Sequence, residues 1–402
     1  DKYKDSGIAW IGEIPEHWKV KKGKNLFKKE ERPVRDNDEI VTCFRDGEVT
    51  LRSNRRIDGF TNAMKEVGYQ GVRRGDLVIH NMDAFAGAIG VSDSDGKSTP
   101  VYSVCTPKNN VEANVYYYAY LLRSYALGGV IQSLAKGIRE RSTDFRYKEF
   151  GDLYYQQPPI EEQQSIASYL DQKCGEIDKL ITLQEEMITK LQSYKQSVIT
   201  EAVTKGLDKN LPLKDSGIEW IGEIPEHWSV VKIKYLAKIK SGDSISSNEI
   251  MQEGIYEVYG GNGLMGFCNK KNVDGVNIII GRVGALCGNV RLISESKFIT
   301  DNALILNCFD NALYSYMYIM LKAANLNNLN TSNAQPLITG SKVLNVSLPI
   351  PPLSEQQSIA DYLDQKCSEI DELISIKQQK IEKLKDYKKS LIFECVTGKR
   401  KV

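Results

Sequence analysis

The sequence is poor in the residues on which metal and redox chemistry depend. Its 402 residues include three histidines, and its eight cysteines form no CxxC pair and have no histidine at zinc-ligand spacing. This composition predicts neither a metal site nor a disulfide framework. Two of the histidines, His17 and His227, lie in a repeated motif, where we expect them to pack or to form hydrogen bonds.

Signal and membrane-spanning segments are also missing. The N-terminal residues lack the apolar core of a signal peptide. The most apolar stretches, around 276–290 and 312–321, are too short or too interrupted to span a bilayer. We therefore expect a cytoplasmic protein with reduced cysteines and no membrane contact. The 53 Lys and Arg against 52 Asp and Glu leave a net charge of +1, so any basic face must be local.

Motifs of the common catalytic sites are absent or incomplete. Gly90–Ser98 (GVSDSDGKS) has five residues in place of four between its first glycine and Gly-Lys-Ser, and two of them are Asp, which repels phosphate. No GxGxxG precedes a predicted helix. Neither Pro158-Pro159 nor Pro351-Pro352 belongs to the Asn/Asp-Pro-Pro-aromatic tetrapeptide of adenine methyltransferases. No Ser-His-Asp or Cys-His arrangement can be nominated, so the chain is predicted not to be an enzyme.

What the sequence does contain is an internal duplication. Residues 4–18 (KDSGIAWIGEIPEHW) and 214–228 (KDSGIEWIGEIPEHW) agree at fourteen of fifteen positions, and 163–174 and 356–367 agree at eleven of twelve. The chain is therefore motif, variable block and long helix, twice over. The predicted divisions are 1–157 for the first motif and block, 158–206 for the first helix, 207–350 for the second motif and block, and 351–402 for the second helix.

Each long helix carries two rows of apolar residues at heptad spacing, the pattern of a coiled-coil seam. Because neither seam can remain in water, we expect the two helices to pack on each other. A two-fold relation between the copies would make them antiparallel and would put the first motif beside the end of the second helix, near Val396–Lys399. Ser354, three residues before Gln357, is predicted to cap the second helix. The predicted inter-helix packing residues are Ile166, Leu170, Ile177, Leu180, Leu191, Val198, Ile359, Leu363, Ile370, Leu373, Leu384 and Leu391.

The two variable blocks follow parallel plans with different residues. Strands are predicted at 39–44, 49–51, 77–80 and 101–105 in the first block, and at 255–259, 276–280, 290–293 and 346–350 in the second. Helices are predicted at 114–126 and 311–324. Near-identical scaffold segments around diverged blocks indicate one framework that carries two different tasks of one kind. The predicted fold class is α+β, with two mixed α/β domains joined by two long antiparallel helices in a pseudo-two-fold symmetric coiled coil.

Basic and polar side chains cluster in equivalent loops of the two blocks. Arginine can read guanine bidentately or hold phosphates, and Asn and Gln match adenine edges. A solvated loop is the simpler interpretation of any one cluster, but the equivalent placement of the loops favours DNA contact. The candidate DNA-binding residues are Arg52, Arg55, Arg56, Asn81, Arg139, Arg141 and Arg146 in the first block, and Asn262, Arg282, Thr331, Ser332, Asn333 and Gln335 in the second.

Nearly the whole chain resembles the specificity subunits of type I restriction-modification systems. The resemblance rests on the repeated motif, the helices that begin PPIEEQQSIASYLDQK and PPLSEQQSIADYLDQK, and the block segments at 75–92 and 259–267. It implies a non-catalytic subunit with two target-recognition domains, each reading one half of a bipartite, asymmetric site in double-stranded DNA. It also implies two methyltransferase subunits that bring S-adenosylmethionine, and restriction subunits that use ATP and magnesium. No cofactor is expected in this chain itself.

Two other functions stay open on the residues alone. A self-contained DNA-modifying enzyme would bind S-adenosylmethionine by itself, and the missing methyltransferase motifs argue against it. A structural coiled-coil scaffold without base readout would keep its DNA affinity in the assembled complex after Arg139→Ala together with Arg141→Ala. Base readout instead predicts a loss of roughly 1–3 kcal/mol for each arginine that contacts a base bidentately.

Overall fold

The computed structural model describes residues 2–55, 67–134, 144–284, 286–310, 313–330 and 336–402. The chain divides into a first unit, Asp1–Gln184 with Gln379–Val402, and a second unit, Glu185–Gln378. Each unit therefore holds one copy of the motif, one variable block and a part of each long helix. Within the described ranges, no helix combines the length and the apolar character needed to cross a membrane.

The first motif and block lead into the first long helix. Their strands and helices are, in chain order, β1 (Tyr3–Asp5), β2 (Glu13–Pro15), β3 (Lys19–Lys22), α1 (Gly23–Leu26), β4 (Phe27–Lys29), β5 (Val41–Cys43), β6 (Val49–Leu51), β7 (Gln70–Val72), β8 (Leu77–His80), β9 (Ile89–Val91), β10 (Gly96–Ser98), β11 (Tyr102–Pro107), α2 (Val115–Leu127), α3 (Val130–Ser133), α4 (Tyr147–Asp152) and β12 (Tyr154–Gln157), followed by the long helix α5 (Ile160–Lys205).

The second motif and block follow the same plan. Their elements are β13 (Leu213–Asp215), β14 (Glu223–Pro225), β15 (Ser229–Lys232), β16 (Ala237–Ser241), β17 (Tyr256–Gly260), β18 (Gly263–Cys268), β19 (Asn277–Gly281), β20 (Val290–Ile293), β21 (Phe298–Ile299), β22 (Ala303–Cys308), α6 (Tyr314–Ala323), α7 (Gly340–Leu344) and β23 (Ser347–Ile350), followed by the long helix α8 (Leu353–Val396).

Both units contain a four-stranded antiparallel sheet with one strand order. The order is β4-β11-β8-β9 in the first unit and β16-β22-β19-β20 in the second. In each unit the apolar helix after the sheet, α2 or α6, joins the main core cluster with residues of the central strand. The parallel plan of the two blocks is therefore confirmed, and β6, β8 and β20 have the predicted bounds.

The long helices are antiparallel within the first unit. Leu170 near the start of α5 shares a core cluster with Leu391 near the end of α8. Alongside this contact, Lys388 Nζ of α8 lies 2.7 Å from both carboxylate oxygens of Asp178 of α5. The ion pair closes the side of the apolar seam, where the alkyl part of the lysine covers apolar neighbours and its charge stays near water.

The second unit repeats this arrangement with the other ends of the helices. Val198 near the end of α5 shares a core cluster with Leu363 near the start of α8. Lys195 Nζ of α5 lies 2.6 Å from Asp371 Oδ2 of α8. The antiparallel coiled coil that the duplication predicts is therefore present in each unit, and in each unit one lysine–aspartate pair joins α5 to α8.

Most of the predicted packing residues lie in the seam, and two do not. Leu180 and Leu373 are 43% and 48% exposed, so the packing prediction is wrong for both. Leu191 and Leu384 are partly buried. The remaining predicted residues are buried, and they are Ile166, Leu170, Ile177, Val198, Ile359, Leu363, Ile370 and Leu391.

The error at Leu180 and Leu373 has a physical reason. The row of Leu170 and Ile177 is flanked on the helix surface by two other heptad rows, and a seam can form with either of them. The prediction chose the row that contains Leu180, whereas the helices use the row on the other side, which contains Ile181. The residues on that side that are buried or partly buried include Cys174, Ile181 and Ala202 of α5, and Cys367, Ile374, Ile381 and Cys395 of α8. These side chains are small or β-branched and allow close packing, and the long residues of that row, Lys195 and Lys388, are paired with aspartates of the other helix; the rejected row carries Lys173, Met187 and Tyr194.

Each motif holds the first turn of the long helix that follows its block. In the first unit, the Glu162 carboxylate accepts a hydrogen bond from Trp18 Nε1 at 2.9 Å and lies 2.7 Å from His17 Nε2. Glu355 of the second unit has the same two partners, Trp228 Nε1 at 2.9 Å and His227 Nε2 at 2.6 Å. The duplicated histidines are therefore hydrogen-bonding residues of a motif–helix joint.

The first motif also contacts the end of the second long helix. Tyr3 Oη donates to the carbonyl of Gly398 at 3.0 Å. Gly398 has a φ of +73°, and a Cβ there would lie 2.6 Å from Pro15 Cδ and 2.9 Å from Trp18 Cη2. The predicted position of the first motif beside the end of the second helix is thus confirmed, and glycine is required by the backbone conformation and by the tryptophan.

Ser354 does not cap α8. The helix begins at Leu353, so Ser354 lies inside its first turn. The carbonyl of Pro352 accepts from the backbone N–H of Gln356 at 3.0 Å, and the side-chain amide of Gln356 donates to the carbonyl of Pro351 at 2.8 Å. The cap prediction is wrong because the Pro-Pro pair, with its fixed φ, starts the helix before the serine.

Candidate nucleic-acid interface

In the first unit a cleft of about 530 Å³ opens at the end of the central strand β8. Asn81 follows this strand, and its backbone N–H donates to the Val101 carbonyl at 2.9 Å while its carbonyl accepts from the Phe145 N–H at 3.0 Å. The Asn81 side-chain oxygen accepts from Ser103 Oγ at 2.8 Å. Asn81 thus lines the cleft and at the same time fixes two neighbouring segments of the fold.

Three cationic side chains line this cleft, namely Lys29, Arg146 and Lys148. Lys29 Nζ lies 2.7 Å from Glu31 Oε1, and Arg146 Nε lies 2.5 Å from Asp144 Oδ1. Exposed ion pairs of this kind contribute only about 0–1 kcal/mol. A phosphate of a bound polyanion can therefore replace either carboxylate at little cost.

Burial keeps His80, the last residue of β8, in its neutral form. Burial lowers the pKa of the imidazole, and the nearby Asp83 carboxylate raises it by less. The Nδ1 atom accepts the backbone N–H of Asp83 at 3.1 Å, and the ring meets Tyr102 edge-on with 4.6 Å between ring centres. The imidazole therefore packs against Tyr102 and accepts the Asp83 N–H as a neutral side chain, and it adds no positive charge to the cleft.

Arg282 of the second unit is the structural equivalent of Asn81. It follows the central strand β19, its N–H donates to the Asn302 carbonyl at 3.0 Å, and its carbonyl accepts from the Ile338 N–H at 2.9 Å. Asn81 makes the equivalent two backbone bonds in the first unit, with Val101 and Phe145. The two candidates are thus placed identically by the fold and differ in the side chain presented there.

The Arg282 guanidinium is only weakly bound by its own unit. Its Nε is buried and has no hydrogen-bond partner among the described residues. Its Nη1 lies 3.4 Å from Ser241 Oγ, a long and weak bond. A buried N–H without an acceptor costs about 1–3 kcal/mol, which a phosphate or base acceptor would relieve.

A glycine-rich hairpin between β17 and β18 lies against the end of β19. Gly260 pairs with Gly263, so Gly261 and Asn262 form the turn. A Cβ on Gly261 would lie 2.7 Å from the Asn302 carbonyl oxygen, so only glycine permits this approach. Arg291 Nη2 donates to the Asn262 carbonyl at 2.8 Å, and Asn262 itself is exposed at the tip. The hairpin therefore presents one amide beside the Arg282 position.

The remaining candidates are less suited to contact or lie outside the described residues. Arg55 Nη1 lies 2.7 Å from Asp46 Oδ2 and 2.9 Å from Glu48 Oε2, and its guanidinium stacks 4.1 Å from the Phe44 ring centre. A DNA contact by Arg55 would have to replace both carboxylates. Arg52 Nε donates to Thr42 Oγ1 at 3.4 Å. The candidates outside the described residues are Arg56, Arg139, Arg141, Thr331, Ser332, Asn333 and Gln335, and for them DNA binding stays a prediction.

Sequence reasoning missed two residues of this region, Lys29 and Arg291. Lys29 reaches the cleft because β4 pairs with β11 in the register Lys29 to Cys105, which no local pattern shows. Arg291 had a weak signal, since it is a polar residue in the alternating strand Val290–Ile293. Its contact with the hairpin depends on the pairing of β20 with β19.

Comparison with known proteins places the chain among proteins of one kind. Residues 225–386 match the family model described as the type I restriction modification DNA specificity domain. The chain is 27% identical to the putative type I restriction enzyme MjaX specificity subunit of Methanocaldococcus jannaschii over 98% of its own length and 96% of that protein. It is 33% identical to the type I restriction enzyme EcoprrI specificity subunit of Escherichia coli over 32% of its own length and 33% of that protein.

Two solved structures share the fold. One comes from work on the structural basis of complex assembly and conformational transition of the type I R-M system. It matches with a TM-score of 0.75 and 17% identity, over 95% of this chain and 98% of that one. The other is the HsdS subunit from Thermoanaerobacter tengcongensis, with a TM-score of 0.54, 17% identity, and coverage of 96% and 98%.

Fold, duplication and similarity together define a class of protein. It is a duplicated α+β subunit in which two blocks of one topology are attached to two long shared helices. The chain is similar over nearly its whole length to a specificity subunit of a type I restriction-modification system, and its residues 225–386 match the specificity domain of that family. The resemblance seen in the repeated motif and helices is therefore confirmed.

Proposed function

We propose that this chain is the non-catalytic DNA sequence-specificity subunit of a type I restriction-modification complex. Each unit reads one half of a bipartite, asymmetric site in double-stranded DNA. One observation carries the proposal: Asn81 and Arg282 have the same backbone bonds in two units of one topology, and their side chains differ. Identical readers would recognise identical halves, whereas different side chains in equivalent places suit an asymmetric target.

The long helices are proposed to set the spacing between the half-sites. Supporting this, α5 and α8 are continuous helices of 46 and 44 residues, and each contributes residues to both units. At about 1.5 Å per residue, the longer of the two extends for roughly 70 Å. Half-sites read from one face of the duplex are expected about one turn apart, roughly 34–36 Å between centres.

The proposed protein partners are two methyltransferase subunits and the restriction subunits. In this proposal S-adenosylmethionine belongs to the former, ATP and magnesium belong to the latter, and the complex works on DNA in the cytoplasm. Exposed apolar residues on the long helices support helix docking, because water-exposed leucines in a row favour a covering partner. They are Leu180 and Leu183 in the first unit, and Leu373 and Ile376 in the second.

Docking is tested by Leu180→Asp together with Leu183→Asp. The double variant is expected to keep its helix content and lose its association with purified methyltransferase subunits. Thr182→Asp adds a charge on another face of the same turn and is the control. Association that persists in the double variant would remove this surface from the proposal.

The function itself is tested by single-molecule methylation sequencing of host DNA with and without this chain. Loss of one bipartite adenine-methylated motif on deletion would support the proposal and supply the target. An unchanged pattern in a host with active methyltransferase subunits would contradict it. A scaffold without base readout predicts that the motif stays the same when Arg282 is replaced. A self-contained enzyme predicts that the isolated chain binds S-adenosylmethionine.

A further inference from the structure

The second unit carries an exposed row of lysines that have no carboxylate partner within the described part of the chain. Lys232, Lys234, Lys238 and Lys240 lie within nine residues that contain no Asp or Glu, and all four are exposed. None of them forms an ion pair with any described residue. We call these four residues the lysine strip.

The corresponding residues of the first unit are Lys22, Lys24, Lys28 and Glu30, so three of the four lysines recur and the fourth position holds a carboxylate. Residues of the two units are matched by aligning the two copies of the motif. Two backbone hydrogen bonds support this alignment, because the Gly23 N–H donates to the Leu153 carbonyl in the first unit and the Ile233 N–H donates to the Val346 carbonyl in the second. Of the recurring lysines, Lys24 and Lys28 are bonded to a carboxylate, as is the neighbouring Lys29, which corresponds to Ile239; Lys22 lies over the Tyr154 ring, 5.1 Å from its centre. The pairs are Lys24 with Asp152 at 2.9 Å, Lys28 with Glu30 at 2.9 Å, and Lys29 with Glu31 at 2.7 Å.

Every one of these carboxylates is replaced in the second unit. The equivalent of Asp152 is Asn345, that of Glu30 is Lys240, and that of Glu31 is Ser241. The pair Lys28–Glu30 of one unit thus becomes Lys238–Lys240 in the other. The two units have one backbone plan here, but the first has two carboxylates among the lysines of this stretch and the second has none.

Strand geometry brings two charges of the lysine strip together. Lys238 and Lys240 are two residues apart on β16, so their side chains leave the same face about 7 Å apart. Ala237 on the opposite face packs into the core, and Ile239 is in contact with it. Neighbouring like charges without counter-charges repel each other and lower stability. A surface that retains this repulsion is suited to a polyanion, which turns it into attraction.

We infer that the lysine strip binds the phosphate backbone of DNA and that the first unit has no equivalent of it. This inference rests on the proposed function and goes beyond it, because it assigns the two units unequal shares of the DNA-binding affinity. The second unit supplies a sequence-independent share of the affinity. DNA is favoured over an acidic protein because the lysine strip and the candidate interface share strand β16: Ser241, the last residue of β16, has its hydroxyl 3.4 Å from Arg282 Nη1. Lysine holds phosphates as a point charge and reads no bases.

The test is Lys238→Gln together with Lys240→Gln, in the complex assembled with methyltransferase subunits. Binding is measured by fluorescence anisotropy on two duplexes, one carrying the methylated motif and one with that motif shuffled. We expect both duplexes to be weakened by the same factor. Loss of two phosphate contacts should reduce the slope of log affinity against log salt by about 1.8, so the advantage of the wild type shrinks about twelvefold between about 50 and 200 mM salt.

Two control variants separate the lysine strip from general charge and from its counterpart. Lys270→Gln with Lys271→Gln changes the net charge equally in the same unit, but these lysines are paired with Glu249 at 2.6 Å and Asp274 at 2.5 Å. Lys28→Gln with Glu30→Gln removes the neutral counterpart in the first unit. Neither control is expected to change the salt slope.

Three results would overturn the inference. An unchanged salt slope means that the lysines touch no phosphate. A loss confined to the motif duplex means that they read bases. The variant could also assemble poorly with methyltransferase subunits while the complex that does form binds DNA normally. That result means that the lysine strip contacts a protein. A wild-type complex that does not distinguish the two duplexes would instead contradict the proposed function, independently of the lysine strip.

Discussion

Arg282 and Asn81 show how one backbone position can serve two different targets. The side-chain oxygen of Asn81 is engaged by Ser103, whereas the Nε of Arg282 has no partner among the described residues. A donor that its own fold leaves unused can bind a ligand without first giving up a bond. The most direct base or phosphate contact of the second unit is therefore expected at Arg282.

Replacement of Arg282 tests this at the residue scale. Arg282→Ala should cost the assembled complex roughly 1–3 kcal/mol of binding to its target, and Arg282→Lys should restore only a part, because lysine lacks the planar fork of donors. The measurement is the affinity for duplexes with single changes in each half-site. Discrimination should relax in one half-site only. Arg55→Ala is the control, since Arg55 is held by Asp46 and Glu48 and should change affinity little.

The buried His80 makes the first unit sensitive to acid. Its pKa is lowered by burial, so the folded state binds fewer protons than the unfolded state as the pH falls below the ordinary value of about 6.5. The stabilisation is fully present above that value and is lost as the pH falls toward the lowered pKa. His80→Asn keeps an acceptor for the Asp83 N–H and cannot titrate. Denaturant unfolding between neutral and mildly acidic pH should therefore show a smaller acid destabilisation in the variant, and equal slopes would refute this role.

At the scale of elements, the motif–helix joint explains why the motif is duplicated together with the helices. One glutamate in the first turn of each long helix receives the indole N–H of a buried tryptophan and faces a histidine. In the first unit the same tryptophan also packs on the residue that follows the other long helix, at Gly398. A motif with contacts to both helices cannot change independently of either.

The joint is tested by Glu162→Ala. The variant loses the bonds to Trp18 and His17, and the unfolding free energy should fall by about 1–2 kcal/mol, since hydrogen bonds to charged groups are worth about 1.5–3 kcal/mol and this carboxylate is partly exposed. Glu161→Ala removes a neighbouring carboxylate of the same helix turn that makes no such bonds. Equal losses in the two variants would assign the effect to the helix dipole.

The position of the helix seam is tested by two alanine variants in the first unit. Ile381 is buried on the side of α8 that the helices use, and Ile381→Ala should cost about 2–4 kcal/mol. Leu180→Ala, on the rejected side of α5, should change the stability of the isolated chain by no more than about 0.5 kcal/mol. Chemical denaturation measures both. The reverse order of the two effects would restore the originally predicted seam.

At the scale of the whole molecule, two units of one topology on one repeated framework should be exchangeable. Replacing residues 229–350 with the corresponding block of another family member should change one half of the methylated motif and leave the other half unchanged. The physical reason is that each block is joined to the same motif and helix contacts, so its replacement need not disturb the other block. Methylation sequencing is the measurement, and a change in both halves would contradict independent reading.

The framework was predictable from the chain, while much of the interface was not. Heptad spacing and the repeated motif were sufficient to predict two antiparallel helices and the place of Gly398, because both are local patterns that occur twice. The cleft of the first unit depends on Lys29 meeting Arg146 across strand pairing, which sequence spacing does not encode. The candidates Arg139, Arg141 and Asn333 lie outside the described residues and stay predictions.

By itself the sequence determined the duplication, the α+β class and the apolar row that includes Leu170 and Leu363, because periodicity and repetition are properties of the chain. Only the tertiary structure decided which side of that row closes the seam, since both sides satisfy the heptad and close packing selects between them. It also decided that Asn81 and Arg282 are equivalent, because their partners Val101 and Asn302 immediately precede the paired strands β11 and β22. For the lysine strip, the sequence shows that 232–240 contain no Asp or Glu, and only the tertiary structure shows which distant carboxylates reach a lysine, as Asp152 reaches Lys24 in the first unit.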